Sequence, residues 1–523
     1  MSRATCSIPC FSRRQFLSFT ATAVAAVATA PGLFGEQSAL PVGIGRPAAQ
    51  PVPTNYAGLS YEKAQLTDPA FFSGSDHNLV AIFRALNHQG VLRIGGNSSD
   101  YCWWKARPTQ APPPPPRYAH SRSNWMPHSF SAIRPEAIDH LSGFLRNCGW
   151  TTIYGLNLGT ATPEAAAEEA AYAAHALGSR LLYFQIGNEP DYYGQPNNRL
   201  RAPDWDFDRY LAEWLGFARA ILKRVPDAQF GGPDAGSSAG WVVRFAEEAP
   251  KHLPGHIAAC TSHYYAEGPP NSPSVTVARL LQPDPRVRRD MTRIMAAARA
   301  AHLPYRMTEG NSCYRGGKPG MSNAFCSALW SADYMLELAS FGCEGVNLHG
   351  GSAGAIRHAL GGHLPGLGVS PRAAAEAALG SFYTPIAGDL ETGFTARPVF
   401  YGMKLAMVLA GGNMRPVHLP VSGARATAYA ADFLDKGTRL VVINKDAKRP
   451  LSLALPARGR ATLWRLEAPS LTAVSGVTLA GATLGERAWH PKHQQPMTST
   501  NGTLKITLPP ASAAAVFCEQ RLT

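Results

Sequence analysis

Between Asn55 and His349 the chain carries eight apolar, β-prone runs, each ending in polar or small residues and each followed by enough sequence for a helix. They are Tyr56 to Glu62, Val91 to Asn97, Thr152 to Leu158, Leu181 to Glu189, Gln229 to Asp234, Ala259 to Tyr265, Tyr305 to Glu309 and Gly345 to His349. Eight strand-plus-helix units is the count that closes a (β/α)₈ barrel, so the expected fold class is α/β with a TIM barrel. Helical signals fill the gaps. Thr162-Pro163-Glu164 opens an Ala-rich stretch to Leu177 with a cap, a first-turn proline and an early acid. Phe207 to Lys223 sets Phe207, Tyr210, Leu211, Trp214, Leu215, Ala218 and Leu222 on one face. Arg286 to His302 and Met321 to Phe341 read the same way.

The barrel does not exhaust the 523 residues. After a last barrel helix at Val399 to Val408, the pattern changes near Gly411 to short alternating runs: Ala426 to Phe433, Thr438 to Asn444, Leu451 to Leu455, Ala461 to Leu466, Leu504 to Leu508 and Ala513 to Phe517. That alternation predicts a C-terminal β-sandwich over 411–523, with the barrel over 41–410 and the residues before the first barrel strand free to add to the sandwich. The longest interruption follows the second strand. There Cys102-Trp103-Trp104 and the five consecutive prolines before Arg117 lead to Asn124-Trp125-Met126, which reads as a stiff loop. Its tryptophans suit either packing or the wall of a sugar site.

Residues 1–40 read as a targeting leader: Ser12-Arg13-Arg14-Gln15-Phe16-Leu17 is a twin-arginine signature, and the apolar run from Leu17 to Ala30 is too short for a stable transmembrane helix. The expected destination is the periplasm or the exterior, with no stable membrane anchor once the leader is removed. Of nine cysteines, Cys6 and Cys10 lie in the leader, and the other seven are spread singly without a Cys-x-x-Cys pair. That spacing argues against a zinc site or a disulfide framework. The formal charge is +13, and +11 without the first 40 residues, which hold three arginines and one glutamate. An exported basic surface fits uronic-acid polymers or their sulfated relatives; no zinc-finger spacing or RNA-binding strand points to nucleic acid.

In a parallel barrel every strand delivers its C-terminal end to one face, so Glu62, Asn97, Asn188, Glu189, His263, Tyr265, Glu309 and His349 are expected to converge despite their separation. Glu189 ends the fourth run and Glu309 the seventh. Two carboxyls about 5–5.5 Å apart are what retaining glycoside hydrolysis needs, one to protonate the leaving oxygen and one to attack. The neighbours suggest roles: Asn188 beside Glu189 can bond a sugar hydroxyl, Glu189 near a negative Glu309 should hold its proton more tightly, and Glu309 should stay ionised with donors such as Tyr265. No metal-ligand spacing occurs among the candidates, and no cofactor is expected.

Leu59-Ser60-Tyr61-Glu62-Lys63, Arg93-Ile94-Gly95-Gly96-Asn97, Gln185 to Pro190, Thr308-Glu309-Gly310-Asn311-Ser312 and Val346 to Gly351 together resemble glycoside hydrolase family 79, the β-glucuronidases and heparanases of clan A. The resemblance implies Glu189 as acid/base, Glu309 as nucleophile, Glu62 as a sugar-hydroxyl ligand, Asn188 near the 2-hydroxyl and Tyr314 as a donor to the uronate carboxylate. It also implies a second tyrosine after strand eight. Residues 350–368 contain none, and Tyr383 is the nearest candidate. The expected activity is removal of terminal glucuronate from glycans by a two-glutamate double displacement. The alternatives are endo-acting, heparanase-like cleavage of heparan sulfate-type chains and a non-catalytic glycan-binding protein.

Overall fold

The computed structural model describes residues 39–48, 50–113, 126–364, 368–434, 436–484 and 488–522. The predicted leader as far as residue 38, with Cys6 and Cys10, Trp125 and the end of the proline run lie outside the described residues; the leader's last residue, Leu40, lies in a strand. Eight parallel strands close the barrel: β1 (Ala57–Glu62), β2 (Val91–Gly95), β3 (Thr151–Leu156), β4 (Leu181–Ile186), β5 (Phe230–Ala235), β6 (Ile257–Glu267), β7 (Tyr305–Cys313) and β8 (Gly345–Gly350). They pair in chain order, and β8 closes on β1 through the register Leu348 to Leu59 and His349 to Ser60. The runs rich in valine, leucine, isoleucine and tyrosine become strands because both of their faces are covered, by helices outside and by one another inside. The apolar residues of β1 and β2 are fully buried, as are those of β7 apart from a slight exposure at Met307.

The helices begin where their caps lie. Thr162 accepts from Ala165 N ahead of Pro163–Leu177, Asp206 from Arg209 N ahead of Phe207–Leu222, and Ser238 from Trp241 N ahead of Ala239–His252. Pro285–Ala300 opens behind Asp284. The long helix after β7 starts at Phe325, four residues later than its apolar pattern, and runs to Phe341 with burial on nearly all sides. It is enclosed because helix Pro398–Ala406 packs on it so closely that a Cβ at Gly402 would lie 2.0 Å from Ala328 O.

The strand ends differ from the sequence expectation most at the two candidate glutamates. β4 stops at Ile186, three residues before Glu189, because Gly187 and Glu189 take positive φ (88° and 49°) and turn the chain out of the sheet. β7 runs past Glu309 to Cys313, because its pairing with β6 continues to Glu267 opposite Cys313. The interruption after β2 is not wholly a loop either: Cys102–Trp104 pairs in parallel with Ser131–Ile133, and Trp104 packs against Tyr172 at 5.2 Å between ring centres.

The C-terminal region is rich in strands: β9 (Ala426–Phe433), β10 (Gly437–Asn444), β11 (Leu451–Pro456), β12 (Arg460–Glu467), β13 (Thr503–Leu508) and β14 (Ser512–Cys518). β9, β10, β14 and β12 are adjacent in one antiparallel sheet, and β11 pairs with β13 in another. Leu40–Pro41 adds a parallel edge to β11, and Gly43–Ile44 pairs with Val417–His418. Between the sheets lies a core of Leu440, Val442, Leu453, Ile506, Leu508 and Val516. The region is tied to the buried helix by Asp333, which accepts from Thr427 and Tyr429 of β9 and pairs with Lys445 at 2.7 Å. The seven described cysteines are all buried and unpaired. No described helix is long and apolar enough to cross a membrane.

Candidate active site

At the C-terminal face of the barrel, carboxylate oxygens of Glu189 and Glu309 and a ring nitrogen of His263 lie within 4.8 Å of one another. Glu189 arrives on the turn beyond β4. The left-handed backbone at Glu189 is unfavourable for a side chain with a Cβ and is held by its own N–H donating to Asp234 O at 3.0 Å. Glu309 projects from the middle of β7.

Their surroundings push the two apart. Around Glu309, burial alone would favour the neutral acid, but interactions with His349, His263 and Arg93 and the hydrogen bond from Tyr265 outweigh it and hold the carboxyl at about 2. Arg93 Nη1 donates to Glu309 Oε2 at 2.5 Å, and Tyr265 Oη donates to Oε1 at 2.8 Å. Glu189 moves the other way: burial raises it, His263 draws it back, and the negative charges of Glu309 and Asp191 raise it further. One carboxyl whose hold on its proton is strengthened next to one whose hold is weakened is the division of labour that double-displacement glycoside hydrolysis requires.

Beneath the pair lies a charged network that no short motif announces. Arg93, on β2, is 1% exposed and donates to Gln185 Oε1, Ser60 Oγ, Asn188 Oδ1, Glu309 and Asp234. Asp234 at the end of β5 also accepts from Gln185 Nε2 and Thr308 Oγ1, each at 2.6 Å. His263 sits between Glu189 and Asp234, 3.1 Å from each. Burial would discharge its ring, yet the charges of Asp234 and Glu309 raise it to about 10. The imidazolium of His263 and the guanidinium of Arg93 match the two carboxylates of Asp234 and Glu309, and Glu189 lies beside them with a raised pKa.

The other sequence candidates fall as follows. Asn188 accepts from Arg93 and donates from Nδ2 to Asn97 Oδ1 at 3.3 Å, so the two asparagines meet beside Glu189. His349 approaches Glu309 at 3.6 Å and Glu62 at 3.2 Å. Glu62 is 4% exposed and accepts from both the N–H and the hydroxyl of Ser98. A Cβ on Gly96, whose φ is 74°, would lie 2.3 Å from the Glu62 carboxylate, so glycine is required there. Lys63 turns away from the mouth and pairs with Glu169 at 2.6 Å. Tyr314 and Tyr383 flank Tyr265, with ring centres at 6.5 and 6.1 Å. Asn311 Nδ2 fixes Tyr383 by donating to its carbonyl and to that of His349.

Asp234 and the central place of Arg93 were not among the sequence candidates. The available signal was a lone arginine in the apolar run Val91 to Ile94, a residue that a barrel strand buries only with partners. Asp234 offered only a strand-ending acid.

No family model matches the chain. It is 26% identical to a β-glucuronidase of Aspergillus niger over 493 residues, covering 83% of each chain. It is 27% identical to a β-glucuronidase of Neurospora crassa over 450 residues, covering 76% of this chain and 73% of the relative. Among solved structures it is similar to a 4-O-α-L-rhamnosyl-β-D-glucuronidase from Fusarium oxysporum, with a TM-score of 0.67 and 18% identity over 91% of this chain and 99% of that one. An arabinofuranosidase from Xanthomonas axonopodis superimposes with a TM-score of 0.61 at 15% identity, over 92% of this chain and 100% of the other.

Proposed function

We propose that this chain, a glycoside hydrolase, is an exported retaining β-D-glucuronidase that removes terminal glucuronate from glycans, and that it belongs to glycoside hydrolase family 79. The observation that carries the reading is the approach of Glu189 and Glu309 within 4.8 Å with opposite protonation tendencies. That separation suits attack by one carboxylate and is shorter than the 6.5–9.5 Å or so an inverting water needs. Glu309, held ionised by Arg93 and Tyr265, attacks the anomeric carbon. Glu189 donates its proton to the leaving oxygen and then takes one from the water that releases the sugar. Asn188 and Asn97 offer amides beside Glu189 where the 2-hydroxyl would lie, and Glu62 and His349 border the same pocket. Two fungal relatives named as β-glucuronidases support the glucuronide as substrate.

Tyr314 and Tyr383 are the proposed hydroxyls for the uronate carboxylate. Tyr383 replaces the expected tyrosine after β8 by coming from a later segment pinned by Asn311. The twin-arginine signature at Arg13 and Arg14 supports export. The purified chain is expected to hydrolyse a chromogenic β-glucuronide and to leave the matching β-glucoside nearly untouched. Glu309→Gln should reduce turnover by roughly a thousandfold, about 4 kcal/mol of barrier. Equal rates on the two sugars would refute the uronate assignment, and full activity in Glu309→Gln would refute the mechanism.

A further inference from the structure

Both members of the carboxylate pair lead back to one buried acid. Asp234 reaches Glu309 through Arg93, whose Nη2 donates to Asp234 Oδ2 at 2.5 Å while Nη1 donates to Glu309. It reaches Glu189 through His263, whose Nε2 lies 3.1 Å from Asp234 Oδ1 and whose Nδ1 lies 3.1 Å from Glu189 Oε1. The backbone closes the third side, with Glu189 N donating to Asp234 O. Asp234 is 1% exposed and its own φ of 61° turns its carboxylate under the pocket. We propose that Asp234 is a positioning residue that, through His263, sets how tightly Glu189 holds its proton, and that through Arg93 it anchors Glu309. This rests on the glycosidase reading of the site.

The chemistry follows from what an imidazole between two carboxylates can do. With both ring nitrogens protonated, Nδ1–H faces Glu189 and Nε2–H faces Asp234. With Glu189 protonated, a neutral ring can accept from Glu189 at Nδ1, while Nε2 stays 3.1 Å from Asp234 Oδ1 as a close contact outside hydrogen-bond geometry. One proton therefore has two homes, and the charge of Asp234 favours the ring. Burial and the charge of Glu309 would otherwise make Glu189 hold its proton too tightly to release it to a leaving group. Among the described residues, Glu309 on β7 supplies the other charge that raises the His263 ring. Behind it a small cavity also touches Tyr305 of β7 and Arg286 and Asp290 of helix Pro285–Ala300, but these last two are engaged with Asp284 and Arg289. In front of it lie Glu189, Glu309 and Arg93, all within the same network.

The sign of the effect is definite. Removing the charge of Asp234 takes away the first of the charges that hold His263 protonated, so the ring loses its proton at lower pH, and Glu189 loses part of a stabilising cation and keeps its proton to higher pH. The alkaline limb of kcat/KM, which reports the proton of the acid, should move up by about one pH unit in Asp234→Asn. His263→Asn, which leaves the Asp234 to Arg93 pair in place, should move the limb in the same direction, and the double variant should move it no further. NMR of histidine-labelled protein, with the His263 signal assigned by its loss in His263→Asn, should show the unmodified ring doubly protonated at pH 8 and its titration shifted to lower pH in Asp234→Asn. A ring already neutral at pH 8 in the unmodified protein, an unmoved limb, or additive shifts in the double variant would overturn the proposal. If Asp234→Asn does not fold, the titration of the unmodified protein and the His263→Asn profile decide it. A protein that turns over no glycoside defeats the function instead, and the NMR titration still tests this relay.

Discussion

The barrel mouth and the C-terminal sheets bury their residues by opposite rules. Along β11 and β13, Leu451, Leu453, Leu455, Leu504, Ile506 and Leu508 face inward while Ser452, Ala454, Lys505 and Thr507 face out, an alternation with no charge in the core. Along the inner ends of the barrel strands, Arg93, Asp234, His263 and Glu309 are buried together. Each costs several kcal/mol to desolvate and is tolerable only because the others are present. The sheets are held by area removed from water, which is roughly additive; the mouth is held by mutual compensation, which is not.

Arg93→Met puts that contrast under the most strain. It leaves the carboxylates of Asp234 and Glu309 without their shared cation, so denaturant unfolding should show a loss of about 3–5 kcal/mol, with activity lost in whatever remains folded. A loss below about 1 kcal/mol would mean that the cluster relaxes and that the mouth is not held by compensation. Leu453→Ala should cost about 3 kcal/mol through lost burial and a residual cavity, with kcat and KM unchanged below the melting transition. A changed KM there would show that the sheets do more than pack. At the small end, Arg460 and Glu519 form an exposed pair at 3.4 Å, and Arg460→Ala should change stability by no more than about 0.5 kcal/mol. A larger loss at that site would give weight to an exposed pair on the rim of sheets whose core is apolar.

Much of this architecture could be read along the chain. All eight barrel runs and all six C-terminal runs became strands within a few residues of their expected ends, because a strand buried on both faces or on one face writes its period directly into the sequence. Glu189 and Glu309 were visible as candidates for the same reason: Glu189 follows a strand and Glu309 lies towards the C-terminal part of one, and a barrel gathers the ends of its strands on one face. The rest was hidden by distance. Arg93 meets Glu309 across 216 positions and Asp234 across 141, and neither separation leaves a periodic trace. Tyr383 enters the pocket from beyond β8 through the amide of Asn311, which a search for a tyrosine directly after the strand passes over. Glu62 reads as a mouth carboxylate but spends two hydrogen bonds on Ser98, a contact made possible by the bend at Gly96.

Sequence alone determined the barrel and the strand-rich C-terminal region and singled out two candidate glutamates near strand ends, since these follow from local polarity and chain order. Which groups set the protonation preference of each glutamate was decided only in three dimensions. That preference depends on how many charges stand within a few ångströms in a medium from which water is excluded, and only the closed barrel brings Arg93, Asp234 and His263 to that distance.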